Sequence, residues 1–167
     1  MRIRVARVDD APQISRGEWA TAATPGMLVG RPGEIPEHAF RAKLSALVPL
    51  GCYWVADVDD VIAGHAFLDP MRMLGTSHVF QLNIVVHPGH TDRGIGSALM
   101  SALLSWAQQS PQVMKVELLV RATNARALHL YRKFGFVEEG RFCRRVRTAD
   151  GVFIDDVAMC WFPERAH

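Results

Sequence analysis

Cysteine is scarce in this chain. Cys52, Cys143 and Cys160 are the three present, far apart and with no C-x-x-C pair among them. That spacing argues against a disulfide framework or a zinc site and reads as reduced thiols in a cytosolic protein. The first residues, Met1-Arg2-Ile3-Arg4-Val5, lack the apolar stretch of a signal peptide. No apolar run approaches the ~20 residues that span a bilayer. Cytoplasm is therefore the expected location, with no membrane partner. An excess of one charge is missing too. A formal net charge of +2 demands neither nucleic acid nor an anionic surface, although a weak positive field suits a phosphorylated ligand. Repeats, low-complexity tracts and linkers are also absent.

What is present fits one domain over residues 1–167. Hydrophobic residues make up 49% of the chain, enough for a substantial core. Ile3 to Arg7 alternates as a short strand, and Asp9-Asp10 before Ala11-Pro12 marks a helix start. Pro/Gly loops follow at Thr24–Gly26 and Gly30–Gly33. Phe40, Leu44 and Leu47 share one face of a helix over Glu37 to Leu47. Gly51 to Asp57 and Val61 to Leu68 read as a hairpin about Asp59-Asp60. Ser77 to Val86 is a strand with Phe80, Leu82, Ile84 and Val86 on one face and Val79, Gln81, Asn83 and Val85 on the other. Ile95, Leu99, Ala102, Leu103 and Trp106 recur at helical spacing. Val113 to Val120 returns as a strand, with Met114, Val116, Leu118 and Val120 on one face. A helix over Ala125 to Phe134 stops at Gly135, and Phe136 to Arg147 with Val152 to Trp161 closes as a hairpin. The expected fold is α/β (α+β), with a mixed, mostly antiparallel sheet, a central parallel strand pair and flanking helices.

Chemistry gathers where the Ser77–Val86 strand meets its helix, at His87-Pro88-Gly89-His90-Thr91-Asp92-Arg93-Gly94-Ile95-Gly96-Ser97. The first amides of a helix lack intrahelical partners and lie at the positive end of its dipole, so an anion binds there through backbone alone. Gly94 and Gly96 let phosphate oxygens approach and tolerate positive φ. Arg93 adds a cation and Ser97 a hydroxyl. By itself this turn is equally a ligand-free strand–helix connection. It is no P-loop, because Ser97-Ala98 stands where Lys-Ser/Thr is required. A dinucleotide fingerprint is weakened by Leu99 at its third small position, with Glu117 at about the distance of a ribose-binding acid. His87, His90 and His129 form no metal-ligand pattern.

Next comes Asn124-Ala125-Arg126-Ala127-Leu128-His129-Leu130-Tyr131-Arg132-Lys133-Phe134-Gly135-Phe136. With the turn before it, this segment resembles the GNAT family of N-acetyltransferases, from about Tyr53 to Met159. The tail around Glu139-Gly140-Arg141 and Asp150 to Met159 is similar to its phosphinothricin and ribosomal-protein subgroup. One departure is Thr91, where the family has Gln or Arg.

The resemblance implies a transfer of acetyl from acetyl-CoA to a primary amine by direct attack in a ternary complex, without a metal. The amine would be a small amino compound, an amino acid or a peptide N-terminus. Backbone at Ile84, Val85 and Val86 would pair with the pantetheine arm and stabilise the oxyanion. Amides of Asp92, Arg93, Gly94, Ile95, Gly96 and Ser97 would hold the pyrophosphate. Asn124 would cap its helix, with or without a hydrogen bond to the cofactor. Tyr131 would be the acid that protonates the thiolate, and otherwise a core tyrosine. The base is unassigned, since Gln81 and Asn83 stand where relatives carry Glu; His78, Asp69 and Glu138 qualify by chemistry only. Trp19, Phe40, Tyr53, Trp54 and the Asp150 region are candidate acceptor walls. Arg141, Arg144, Arg145 and Arg147 form a basic cluster that strand alternation splits, with Arg144 opposite the others, which argues against a nucleic-acid face. The family also suggests a homodimer. Two rival classes stay open: an acyl-CoA sensor without turnover, and a dinucleotide-binding domain.

Overall fold

The computed structural model describes residues 1–25, 27–28 and 30–164. Among them are seven strands and four α-helices: β1 (Arg2–Val5), α1 (Ala11–Ala22), α2 (Glu37–Leu47), β2 (Tyr53–Val58), β3 (Val61–Pro70), β4 (Val79–Val86), α3 (Ile95–Gln109), β5 (Lys115–Arg121), α4 (Ala125–Lys133), β6 (Val137–Arg147) and β7 (Phe153–Trp161). The hydrogen-bonded strand order is β1-β2-β3-β4-β5-β7-β6. The parallel pairing joins β4 to β5, from Val79↔Lys115 to Gln81↔Glu117. Pairs β1–β2, β2–β3, β5–β7 and β6–β7 are antiparallel. This is the mixed sheet with flanking helices that the sequence led us to expect.

The chain divides into two compact units. The first holds Met1–Asp69 and Leu82–Ser110. Its β2–β3 turn carries positive φ at both Asp59 (51°) and Asp60 (64°). Two left-handed residues in succession match the twist of a hairpin, and Asp tolerates them better than most residues. The Asp57 carboxylate fixes the turn by accepting the Asp60 amide at 3.1 Å. Arg4 ties three segments together, donating to Asp57 on β2 (3.0 Å) and to both oxygens of Asp10 at the start of α1 (2.8 and 2.9 Å). Helix α2 buries Phe40, Leu44 and Leu47 as its periodicity requires. Helix α3 buries Ile95, Leu99 and Leu103 along with Met100, Leu104 and Ala107. Strand β2 begins two residues later than the apolar run suggests. Gly51, at φ 75°, ends a short 3-10 turn over Val48–Leu50 before the strand starts.

The second unit holds Pro70–Gln81 and the chain from Pro111 onward. Strand β5 buries Val116, Leu118 and Val120, but Met114 is 50% exposed and precedes the strand, so it does not share their face in the core. Gly135, at φ 86°, follows α4 as the expected left-handed residue. The basic cluster needs correction. The register of β6 on β7 shifts between Phe142 and Val146, and Arg144 takes φ 54°. That irregularity cancels simple alternation. Arg144 and Arg147 both lie over the Phe153 ring, at 5.1 and 5.8 Å, while Arg145 lies over Phe142 at 4.8 Å.

Candidate functional site

In the first unit, β4 runs through Ile84, Val85 and Val86 into the turn that precedes α3. The His87 amide donates to the Ala63 carbonyl at 2.9 Å, which anchors the root of the turn on β3. Gly89 (φ 84°), Asp92 (62°) and Gly94 (76°) then all take positive φ. Left-handed residues on either side of Arg93 fold the backbone tightly enough to bring successive amides round to one place. Ala98 donates to the Gly94 carbonyl at 3.0 Å, closing the first helical ring of α3. The amides of Ile95, Gly96 and Ser97 therefore belong to the opening turn, where a helix leaves its donors for an anion.

The two glycines differ. Gly94 is the left-handed N-cap, and a Cβ added there would meet nothing, so its requirement is conformational. Gly96 sits inside α3 and does not have positive φ, so any advantage it gives is the missing side chain alone. Asp92 and Arg93 are exposed, whereas the Ile95 side chain is buried in the core and only its backbone faces the turn's chemistry. Val85 is buried; Ile84, Val86, Thr91 and Ser97 are half-buried. Gly64 of β3 passes close beneath this strand end. A Cβ there would lie 2.8 Å from the Val85 carbonyl oxygen and 3.2 Å from the Ile95 side chain.

In the second unit, Asn124 is the N-cap of α4, its Oδ1 accepting the Ala127 amide at 3.1 Å. The cap uses the side-chain oxygen and leaves the side-chain NH2 as the part suited to a ligand acceptor. The cap and the expected cofactor contact separate by mutation. Asn124→Ala is expected to lose both, at about 1 kcal/mol of stability. Asn124→Asp keeps the cap and should leave the unfolding midpoint unchanged while raising KM for acetyl-CoA. An unchanged KM in the Asp variant would reduce Asn124 to a cap.

Tyr131 is buried on α4, its ring 5.8 Å from that of Phe136. Burial pushes its phenol up to about 12, with the Arg121 guanidinium pulling in the opposite direction. It is therefore protonated throughout the neutral and mildly alkaline range.

The expected base positions offer no base. Gln81 donates its amide to Glu117 at 3.4 Å, and Asn83 is exposed. Of the carboxylates and imidazole considered, Asp69 is held by Lys43, Glu138 lies near Arg141 and His78 is exposed. Of the aromatic wall candidates, Phe40 and Tyr53 are core residues. Trp19 is half-buried and donates its indole N–H to the Ile35 carbonyl at 2.8 Å.

The first unit also contains a cluster that local spacing does not reveal. Glu18 Oε1 lies 3.1 Å from His65 Nε2, His65 Nδ1 lies 3.3 Å from His87 Nε2, and His87 Nδ1 lies 2.8 Å from the Ile62 carbonyl oxygen. Both imidazoles are buried. Burial, reinforced by His65, pulls His87 down to about 4. Gly17 lies directly against its ring, where a Cβ would come within 2.2 Å. These residues come from α1, β3 and the end of β4, and only folding brings them together.

Known proteins place this architecture. An L-amino acid N-acetyltransferase from Escherichia coli (strain K12) is 32% identical over 101 residues, covering 60% of this chain and 62% of that protein. The chain thus spans somewhat less than two thirds of that relative's length. An N-alpha-acetyltransferase from Sulfurisphaera tokodaii is 29% identical over 147 residues, or 82% of this chain and 80% of the relative. The crystal structure of an acetyltransferase of the GNAT family from Streptococcus pneumoniae superposes with a TM-score of 0.87 at 25% identity, covering 98% of this chain and 99% of that one. The family model described as acetyltransferase (GNAT) matches residues 18–136, well over half the sequence. The chain belongs to the acetyltransferase (GNAT) family.

Proposed function

We propose that this enzyme acetylates a primary amine, most fittingly the α-amine of an amino acid or a peptide N-terminus, by direct attack on acetyl-CoA in a ternary complex. The observation that carries the donor side is the opening of α3, with Asp92 and Gly94 left-handed and helical amides beginning at Ile95. In this reading the backbone of residues 92–97 holds the pyrophosphate and that of Ile84–Val86 pairs with the pantetheine arm. Backbone donors do not depend on the Thr91 side chain, so the departure there leaves the anion site in place. The amine lone pair attacks the thioester carbon, and a β4 amide stabilises the oxyanion. Tyr131 donates a hydrogen bond to the departing sulfur.

The α-amine preference draws on the two relatives named for amino-acid and N-alpha acetylation. Free thiols at Cys52, Cys143 and Cys160 support a cytoplasmic setting. The test is thiol release from acetyl-CoA across amino acids, N-terminal peptides, polyamines and aminoglycosides. We expect turnover with an α-amine. Tight acetyl-CoA binding with no turnover across the panel would replace the enzyme reading with that of an acyl-CoA sensor.

A further inference from the structure

Acetylating an ammonium group releases a proton that neither Gln81 nor Asn83 can accept. The Glu18–His65–His87 chain can. A backbone carbonyl only accepts, so Ile62 requires the proton of His87 to sit on Nδ1, 2.8 Å away. His87 is neutral at ordinary pH, since its affinity for a second proton is displaced to about 4 by burial first and by His65 next. Its Nε2 is therefore bare and accepts from His65 Nδ1, 3.3 Å away. His65 Nε2 is thereby left facing Glu18 Oε1 at 3.1 Å, two acceptors close enough for a proton taken up by the carboxylate to be hydrogen-bonded to the imidazole. Of the pair, His65 is wholly enclosed and the Glu18 side chain is 13% exposed, so protons enter and leave through the carboxylate.

The placement suits the chemistry. Side chains alternate along β4, so Asn83, Val85 and His87 share a face. The His65–His87 contact and the position of Glu18 put α1 over that same face. Asn83 is two residues, about 7 Å, along the strand from Val85. The carboxylate lies over the side of β4 where the resemblance led us to expect an acid, but on a different element.

We propose that Glu18 is the general base of the acyl transfer, with His65 and His87 as positioning residues that hold its proton couple. The inference rests on the acetyl-transfer reading above. An N–H bond of the ammonium breaks and an O–H bond forms on Glu18. The neutral amine attacks the thioester carbon, the C–S bond breaks, and a second proton passes from nitrogen to sulfur. Amide and free thiol result, and the proton on Glu18 returns to water. Among the described residues, Tyr53 on β2 feels both Glu18 and Asp10, and His87 feels Glu18, His65 and His90. The ring of Tyr53 is 5.9 Å from that of His65, and burial keeps it protonated. Asp10 is engaged with Arg4, and His90 acts on His87.

The experiment is the pH profile of kcat/KM for the amine in wild type and Glu18→Gln. The Gln amide can still donate to His65 Nε2, which preserves the packing. The variant should fall about 100-fold at pH 7. Its rate should then climb tenfold per pH unit without the wild-type plateau, because only pre-formed free amine reacts. Acetyl-CoA affinity should stay within about twofold, and Glu18→Asp should recover part of the rate. A Glu18→Gln profile parallel to wild type, or a loss of acetyl-CoA affinity matching the loss of rate, would overturn the proposal. Wild type that releases no thiol with any amine would instead bring down the acetyl-transfer reading, and the base with it.

Discussion

Tyr131→Phe is expected to lower kcat about 100-fold while KM for acetyl-CoA changes less than about threefold. The substitution removes one hydroxyl and leaves the ring in contact with Phe136, so the unfolding midpoint should barely move. The size of the effect follows from how the phenol works. With Tyr131 raised to about 12 by burial, and thiols ordinarily near ~8.5, complete proton transfer to the leaving sulfur is uphill by about 5 kcal/mol. In the proposed mechanism Tyr131 therefore acts chiefly as a strong hydrogen-bond donor to developing negative charge, an interaction made in the transition state more than in the ground state. Arg121, whose charge favours the phenolate, reduces the uphill cost. No alkaline loss of activity from Tyr131 should appear below about pH 10, because its proton is retained to about 12. Steady-state thiol release measures both effects. A Phe variant within threefold of wild type in kcat would return Tyr131 to the core.

Gly64→Ala should destabilise the protein by about 2 kcal/mol and lower the melting temperature by roughly 4–8 °C. The added methyl would fall 2.8 Å from the Val85 carbonyl oxygen, 3.3 Å from Val86 Cα and 3.2 Å from the Ile95 side chain. Two of these neighbours are backbone and cannot swing aside, so β3 and β4 must separate. Val85 and Val86 are also proposed to meet the pantetheine arm, and Ile95 opens the turn proposed to hold the pyrophosphate. Affinity for acetyl-CoA should therefore fall along with stability. Gly94→Ala provides the contrast: its methyl meets nothing, and the cost there comes from φ 76° alone. Thermal melts of Gly64→Ala with and without acetyl-CoA test this. An unchanged melting temperature would mean that β4 yields more easily than a close-packed sheet should.

Much of this was legible in the sequence because it is local. The α2 stripe of Phe40, Leu44 and Leu47 and the left-handed Gly135 follow from neighbours three or four residues apart. Asn124 as a helix cap and Gly94 at the start of α3 were readable for the same reason. The unread parts depend on register or on distant pairing. Alternation along β6 failed at Arg144 because an irregularity in one strand is set by its partner. Met114 failed because an apolar residue ahead of a strand looks like part of it until the first hydrogen bonds are known. Glu18, 47 positions from His65, has no local pattern that announces their contact.

The two outer strands have a bearing on how the protein behaves while it is being made. β1 and β6 end the sheet, and a bare strand edge is a template on which another chain can add itself. β1 is four residues long and carries Arg2 and Arg4. β6 is longer, but its backbone is broken by the left-handed Arg144, and its guanidinium groups are parked over Phe142 and Phe153. Those cations shield apolar rings and repel a second copy of the same edge. Clearing the arginines from β6 to simplify the surface would strip the nascent chain of its guard against clumping.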